Sequence, residues 1–186
     1  TGKDGTIVFD PYQANSVPGL NSLKLKANLV LCSHEHDDHN ARNCVEVAPK
    51  DFKVTYIETY HDHHQGSHRG KNTIHIVDFE DLKVVHMGDI GCMMDDVSKL
   101  KNCDVLMIPI GGYYTIDTKE ALKYIERIQP RIVIPMHYHS HEFGYDVLST
   151  NEEFIQQSSS VTYVDDCLEV NKDTKTQTVV FKKPRN

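Results

Sequence analysis

The sequence LVLCSHEHDDHN, at residues 29–40, decides how the rest of this chain is interpreted. Its first four residues are an apolar run typical of a buried strand, and three imidazoles and three carboxylates follow within six residues. Because strand side chains alternate with a period of two, His34 and His36 are expected on one side, while Asp38 and His39 follow where the chain turns. Imidazole and carboxylate are ligands of zinc and similar ions, so the stretch predicts a metal site; a solvated His/Asp-rich surface loop is the alternative interpretation.

Three more candidate ligands stand at the ends of predicted strands further along the chain. His61 ends a run that alternates apolar and polar residues, Asp89 follows an apolar run and a glycine, and His137 follows another apolar run. Ligands that are scattered in sequence and converge only in the fold are unlike a chance cluster of polar residues. They predict one composite site built from several strand ends.

The motif H-x-H-x-D-H after an apolar strand resembles the metallo-β-lactamase superfamily. The segments Tyr60-His61-Asp62, His86-Met87-Gly88-Asp89-Ile90-Gly91 and Pro135-Met136-His137-Tyr138 resemble its remaining metal-binding motifs, in the same order. Together with Ile108-Pro109-Ile110-Gly111-Gly112, the last segment resembles the subgroup of small metal-dependent hydrolases that includes the ascorbate-6-phosphate lactonase type. The resemblance implies an α/β fold, a four-layer αββα sandwich, with one or two metal ions at the sheet edge.

The resemblance also implies a division of the ligands between two divalent ions, with zinc expected first and manganese or iron as alternatives. The first ion is expected at His34, His36 and His61, the second at Asp38, His39 and His137, and Asp89 is expected to bridge them. Hydroxide activated by the two metals would then attack a small ester, lactone or phosphoester. Asp38 is also the expected catalytic residue, as a ligand that takes or gives a proton.

Two other functions remain open alternatives to the metal-dependent hydrolase. A metal-binding protein without catalysis would have a filled coordination shell or a blocked pocket. An oxidoreductase of the flavodiiron type shares the fold, but that group has a Glu where this chain has His36, and it carries a flavin-binding domain.

Composition limits the classes of binding partner and the cellular location that are expected. The 186 residues fit one domain over residues 1–186, and the net charge of −7 argues against a nucleic-acid partner, which leaves a small-molecule substrate. No apolar run is long enough for a membrane span. Five cysteines without a C-x-x-C pair indicate free thiols in a reducing compartment, so the cytoplasm is expected.

The start of the chain predicts a missing element. Lys3-Asp4-Gly5 is a turn signal before the predicted strand Thr6–Phe9, yet only two residues precede the turn. We therefore expect that a first strand of the fold is lacking, and an unpaired strand edge would favour a homo-oligomer. Asp10, directly after the strand, is expected either to support the ligand loop or to cap a turn.

The remaining elements follow from turn and helix signals. Residues 11–27 are predicted to be loop, Asn40–Ala48 a short helix, and Asp117-x-x-Glu120 and Thr150-x-x-Glu153 the starts of two further helices. His75 and His86 lie inside predicted strands and are interpreted as structural. No ligand role is assigned to the other five histidines. His63, His64 and His68 are interpreted as solvent-facing or cavity-rim residues, and His139 and His141 either donate to the leaving group or contact substrate, or are ordinary rim residues.

Overall fold

The computed structural model describes residues 1–182, within which it contains eleven strands and two α-helices. The strands are β1 (Ile7–Phe9), β2 (Leu25–Ala27), β3 (Leu29–Leu31), β4 (Val45–Val47), β5 (Lys53–Tyr60), β6 (Lys71–Phe79), β7 (Leu82–His86), β8 (Val105–Pro109), β9 (Ile132–Met136), β10 (Val161–Val164) and β11 (Gln177–Phe181). The helices are α1 (Thr118–Ile128) and α2 (Glu152–Gln157).

Seven of these strands form one mixed sheet in the order β10-β11-β9-β8-β7-β6-β5. Strands β5, β6 and β7 form an antiparallel meander, whereas β7, β8, β9, β11 and β10 run parallel. Since β5 is antiparallel to β6 and β6 to β7, the strands β5, β7, β8 and β9 all end at the same edge of the sheet. Two parallel pairs, β1 with β3 and β2 with β4, form smaller sheets.

The two faces of the large sheet are covered by different layers. Ile74, Leu106 and the fully buried Tyr124 of α1 belong to one apolar core on the first face. On the opposite face the ring of Phe9, from β1, stacks on His86 of β7 with the ring centroids 4.9 Å apart. The β1–β3 sheet therefore packs against the large sheet, and the α/β layering agrees with the expected metallo-β-lactamase fold.

Helix α1 begins where the sequence predicts it. Asp117 accepts a hydrogen bond from the backbone N–H of Glu120 at 2.9 Å, and the Glu120 carboxylate accepts one from the N–H of Asp117 at 3.1 Å, which completes a capping box. The hydroxyl of Tyr124 donates to the carbonyl of Cys92 at 2.8 Å and accepts from the N–H of Met94 at 2.7 Å. These bonds attach the helix to the segment after Asp89.

Three predictions about local structure are wrong. The predicted helix Asn40–Ala48 is a single 3-10 turn at Arg42–Cys44 followed by β4, because the β-branched residues of β4 pair with β2. The predicted loop 11–27 ends in that partner strand, β2. The second predicted helix is present, but it begins at Glu152 with Asn151 at the N-cap position, one residue later than the predicted cap Thr150.

The chain start agrees with the predicted turn, since Gly2 and Gly5 form an antiparallel bridge around Lys3 and Asp4. The missing first strand stays a prediction. Within residues 1–182, neither helix has the length and apolar content needed to cross a membrane.

Candidate metal centre

The predicted ligands meet at the edge where β5, β7 and β9 end. His61 follows β5, Asp89 lies three residues beyond β7, and His137 follows β9. The loop after β3 brings in the remaining four, His34, His36, Asp38 and His39. The parallel direction of these strands therefore collects side chains that are far apart in sequence.

Asp89 lies at the centre of this cluster. Its Oδ2 is 3.1 Å from Nε2 of His137, 3.3 Å from Nε2 of both His39 and His61, and 3.9 Å from Nε2 of His34. The carboxylate is 1% exposed, so the four imidazoles surround a charge that is removed from water. Such an arrangement is costly without a counter-charge, which a bound cation supplies.

The ligand atoms form sets with the spacing that a metal ion needs. One set is His34, His36 and His61, and within it the potential ligand atoms all lie within 4.8 Å of one another. Two further sets meet the same limit: one is Asp38, His39 and His137, and the other is His34, His39 and Asp89. All seven residues predicted as ligands are thus brought together.

Burial and charge set the protonation of the cluster. Burial alone would raise the pKa of Asp89, but the charges of His137 and His39 outweigh it and hold that pKa well below its usual range. Burial lowers the pKa of His34 to about 3, despite the opposing charge of Asp89, so its imidazole is neutral at pH 7. Burial would lower the pKa of His39, but the charge of Asp89 and the hydrogen bond to Asp10 raise it well above its usual range. Since metals bind neutral imidazole and ionised carboxylate, a metal ion at His39 would displace its proton.

A second observation, the presence of unpaired buried polar atoms, also indicates that these donor atoms suit a divalent ion. Among the described residues, Nε2 of His34 and Oδ1 of Asp89 are buried and have no hydrogen-bond partner. Buried polar atoms are almost always paired, and unpaired ones call for an explanation such as an ion. Both atoms belong to the ligand cluster.

Asp10 supports the ligand loop, which is one of the two roles expected for it. Its Oδ1 accepts a hydrogen bond from the backbone N–H of Ser33 at 2.6 Å, and its Oδ2 is bonded to the Ser33 hydroxyl at 2.6 Å and to Nδ1 of His39 at 2.9 Å. A carboxylate on Nδ1 leaves Nε2 of His39 free to face the cluster. Likewise, Nδ1 of His61 lies 2.9 Å from the carbonyl oxygen of Tyr114.

Asn72 positions Asp89, a role that was not predicted from the sequence. It is fully buried in β6, its Oδ1 accepts from the N–H of Asp89 at 2.9 Å, and its Nδ2 donates to the carbonyl of Met87 at 2.9 Å. Gly88, at φ 57°, lies so close to Asn72 and Ser33 that a Cβ atom would overlap both. An amide inside a strand gives no signal of this role.

His137 has an unusual backbone conformation. Its φ is 53°, in the left-handed region that residues other than glycine adopt at a cost. The surrounding chain holds it there, since the N–H of Ile110 donates to the carbonyl of Met136 at 3.1 Å. Such conformations cluster at functional sites.

The five unassigned histidines lie outside the candidate ligand sets. His63 is exposed with Nε2 3.7 Å from Oε2 of Glu120, and the rings of His64 and His68 are 4.3 Å apart. His139 and His141 follow His137 on the next loop, where Nδ1 of His139 lies 3.9 Å from the exposed carboxylate of Asp146.

Two cavities open where Asp38, Asp89 and His137 meet. One, of about 210 Å³, is lined by His36, His61, Arg69 and Tyr114 together with Asp38, Asp89, His137 and Tyr145. The other, of about 300 Å³, has mostly apolar and aromatic walls and also reaches Asp38, Asp89, His137 and Tyr145. The ligand cluster is therefore accessible from two sides.

Comparisons with known proteins give one consistent result. The family model described as "Beta-lactamase superfamily domain" matches residues 1–137. A protein named UPF0173 metal-dependent hydrolase from Natranaerobius thermophilus is 30% identical, with 74% of this chain and 77% of the relative covered. Its namesake from Staphylothermus marinus is 29% identical, with 75% of this chain and 78% of the relative covered.

Two solved structures are similar over nearly the whole chain. A crystal structure from Thermotoga maritima, described as a proposed zinc-dependent hydrolase of the metallo-β-lactamase superfamily, has a TM-score of 0.76 and 26% identity, and covers 97% of this chain and 91% of its own. A second, from Parabacteroides distasonis, has a TM-score of 0.61 and 16% identity, covers 98% of this chain and 87% of its own, and supports the fold alone.

Proposed function

The chain belongs to the beta-lactamase superfamily and to the UPF0173 metal-dependent hydrolases, and from this membership we propose that it hydrolyses a small ester, lactone or phosphoester at a dinuclear metal centre. That it is a metal-dependent hydrolase follows from the family. The number of ions, the ligand assignment and the substrate class are the proposal.

The proposed centre uses all seven predicted ligands. His34, His36 and His61 would hold one ion, Asp38, His39 and His137 would hold the other, and Asp89 would be a ligand shared by the two. Ions bound there act as Lewis acids and lower the pKa of water, so that water serves as a nucleophile near neutral pH. Imidazole and carboxylate favour zinc, and the carboxylates also suit manganese or iron.

Asp38 is the proposed proton carrier. Its carboxylate lies 3.6 Å from Nε2 of His39, remains partly accessible, and lines both cavities. From there it can take the proton of the attacking water and return it to the oxygen of the leaving group. This transfer balances the reaction, because water adds its hydroxyl to the acyl or phosphoryl centre and its proton to the leaving oxygen.

The observation that supports the proposal most is the buried carboxylate of Asp89 within 3.9 Å of four imidazole nitrogens. A metal-binding protein without catalysis is less favoured, because two cavities reach the cluster and give a substrate access. A flavodiiron-type oxidoreductase is less favoured because His36 replaces the Glu of that group.

Elemental analysis of protein without a histidine tag tests the proposal. About two equivalents of zinc, manganese or iron are expected in the parent, as a two-metal site requires. Asp89→Asn, which keeps the side-chain shape, should lose much of the metal, whereas Asp166→Asn, an exposed carboxylate, should bind as the parent does. A parent protein that neither contains nor takes up metal would overturn the proposal.

A further inference from the structure

The two cavities at the ligand cluster have opposite chemical character. They share Asp38, Asp89, His137 and Tyr145, so they meet over the groups that would carry out the reaction. A substrate that reaches into both must place its reacting bond between them. The walls of each cavity therefore indicate what stands on each side of that bond.

Arg69 contributes a positive charge to the wall of the smaller cavity, which Asp38 and Asp89 also line. Of the described residues that line this cavity, it is the one with a Lys or Arg side chain. Its guanidinium lies 4.0 Å from the centre of the Tyr114 ring, a cation–π contact that holds the side chain in place while leaving its N–H donors available. No carboxylate within residues 1–182 forms an ion pair with it, although the protein carries a net charge of −7.

The segment that carries Arg69 is held in a defined conformation. The buried carboxylate of Asp62 accepts backbone hydrogen bonds from His64 at 2.7 Å, Gly66 at 2.9 Å, His68 at 3.1 Å and Arg69 at 2.8 Å. These bonds order the loop and fix where the arginine leaves the backbone. A partly buried, unpaired and positioned arginine is the usual means of binding a carboxylate or phosphate.

The larger cavity has walls that suit an apolar group. It is bounded by Phe9, Val17, Leu20, Phe143 and Leu148, and the volume of about 300 Å³ is at the lower end of the range for small-molecule sites. Leu20 and Phe143 are only partly buried, so a ligand that entered would remove further apolar surface from water.

We propose that the substrate is an amphipathic ester, with an apolar acyl chain in the cavity beside Leu20 and an anionic leaving group against Arg69. This proposal rests on the proposed hydrolase function and specifies its substrate class. Water adds across the acyl C–O bond, which yields a carboxylic acid and an anionic alcohol with no change in oxidation state. The anion is a carboxylate or a phosphate, since both match the guanidinium fork.

Binding of uncleavable ethers tests the inference without hydrolysis. The probes are 3-(hexyloxy)benzoate, 3-(hexyloxy)phenylphosphonate, which has no hydrolysable P–O–C bond, and the neutral 3-(hexyloxy)benzamide, titrated calorimetrically into metal-free and metal-loaded protein. At least one anionic ether should bind about tenfold more tightly than the benzamide, as a charge-assisted hydrogen bond allows. Whichever anion binds more tightly identifies the natural anionic group.

Matched variants show which part of the probe each cavity binds. Arg69→Gln should bring the anion-to-benzamide ratio close to one, whereas Lys71→Gln, which removes the same charge outside this cavity, should keep it. Leu20→Asn should weaken binding of 3-(hexyloxy)benzoate relative to its methyl ether analogue, 3-methoxybenzoate. Val147→Asn, at an exposed site, should not. Thermal unfolding of each variant excludes loss of the fold as the cause.

Hydrolysis separates failure of the inference from failure of the proposed function. The metal-loaded parent should cleave 3-(hexanoyloxy)benzoate faster than the neutral 3-(hexanoyloxy)benzamide and faster than the short-chain 3-acetoxybenzoate. Along the acyl series, the rate should rise about threefold per methylene. Equal binding of charged and neutral ethers, or unchanged ratios in Arg69→Gln or Leu20→Asn, overturns the substrate class even if esters are cleaved. Selective ether binding without cleavage of any ester upholds the two cavities and overturns ester hydrolysis instead.

Discussion

Asp10 is not a predicted ligand, but its hydrogen bonds position the loop that carries several of them. It is bonded to Ser33 and to Nδ1 of His39, and its backbone has a φ of 42°. Burial alone would raise its pKa, but the charge of His86 and the hydrogen bond to His39 outweigh burial and hold the pKa at about 2. Asp10 is therefore ionised at neutral pH and orients His39.

Replacing Asp10 should weaken metal binding without removing a ligand. In Asp10→Asn the amide keeps its size but loses the charge that fixes the His39 ring, so metal affinity should fall about tenfold to hundredfold. Competition with a chromophoric chelator measures this change. Asp37→Asn, an exposed carboxylate in the ligand loop, is the control. Equal affinity in parent and Asp10→Asn would contradict the orienting role.

At this scale the sequence identifies the chemically distinctive residues and misses the supporting ones. His34, His61 and Asp89 stand out because imidazoles and carboxylates at strand ends have few other uses. Asn72 and Arg69 have ordinary residue types for a strand and a loop, and their importance depends on contacts with Asp89 and Tyr114. Such contacts exist only once β6 has paired and the loop is ordered.

Among the elements, strands with a continuous apolar run or a long apolar pattern are predictable, whereas short strands without either are not. The strands β5, β6 and β8 extend over five to nine residues, long enough for an apolar pattern to show in the sequence. By contrast, β2 and β4 have three residues each, too few for any periodicity to appear. Their pairing overrides the helical preference that was inferred for Asn40–Ala48.

Asp104 connects several elements at the opposite end of the parallel strands. Its Oδ2 accepts from the N–H of Lys83 at 2.8 Å, at the start of β7, and its Oδ1 accepts from Nη2 of Arg131 at 2.8 Å, next to β9. Arg131 also donates to the carbonyl of Thr174 at 2.6 Å, ahead of β11. Burial alone would raise the pKa of Asp104, but these hydrogen bonds lower it below its usual range.

Asp104→Asn should lower the free energy of unfolding and change its dependence on pH. Loss of the charged hydrogen bonds should cost about 1–2 kcal/mol at pH 7. Because the folded state lowers the pKa, this contribution is complete above the ordinary carboxyl pKa of 3.8 and disappears as the pH falls below it. Urea unfolding at pH 7 and pH 3 measures both effects.

The parent and the variant should therefore become more alike in stability as the solution is acidified. Asp173→Asn changes an exposed carboxylate in the nearby loop, and its stability should match the parent at both pH values. A stability difference between parent and Asp104→Asn that stayed constant from pH 7 to pH 3 would contradict the electrostatic explanation.

For the whole molecule, metal binding should stabilise the fold, since the ligands come from four separate segments. A ligand at about a hundred times its Kd adds about 2.7 kcal/mol, and for a chain of this size the melting temperature should rise by about 5–10 °C. Calorimetry of chelated and zinc-loaded protein measures the shift. Asp89→Asn should show a smaller one, and a parent that binds zinc without any rise would contradict a site formed only in the folded state.

Other properties of the whole molecule stay predictions. One domain over residues 1–186, a cytoplasmic location, a homo-oligomer and the likeness to the ascorbate-6-phosphate lactonase type were inferred from composition, motifs and the start of the chain.

The spread of the ligands along the chain also determines when the site can exist during synthesis. His34 is made early and His137 late, and they meet only after β8 and β9 have joined the sheet. A chain whose strand β9 has not yet left the ribosome lacks His137, so it carries an incomplete set of candidate ligands. We therefore expect metal to bind at the end of folding, where it would slow unfolding and have little effect on how fast the chain folds.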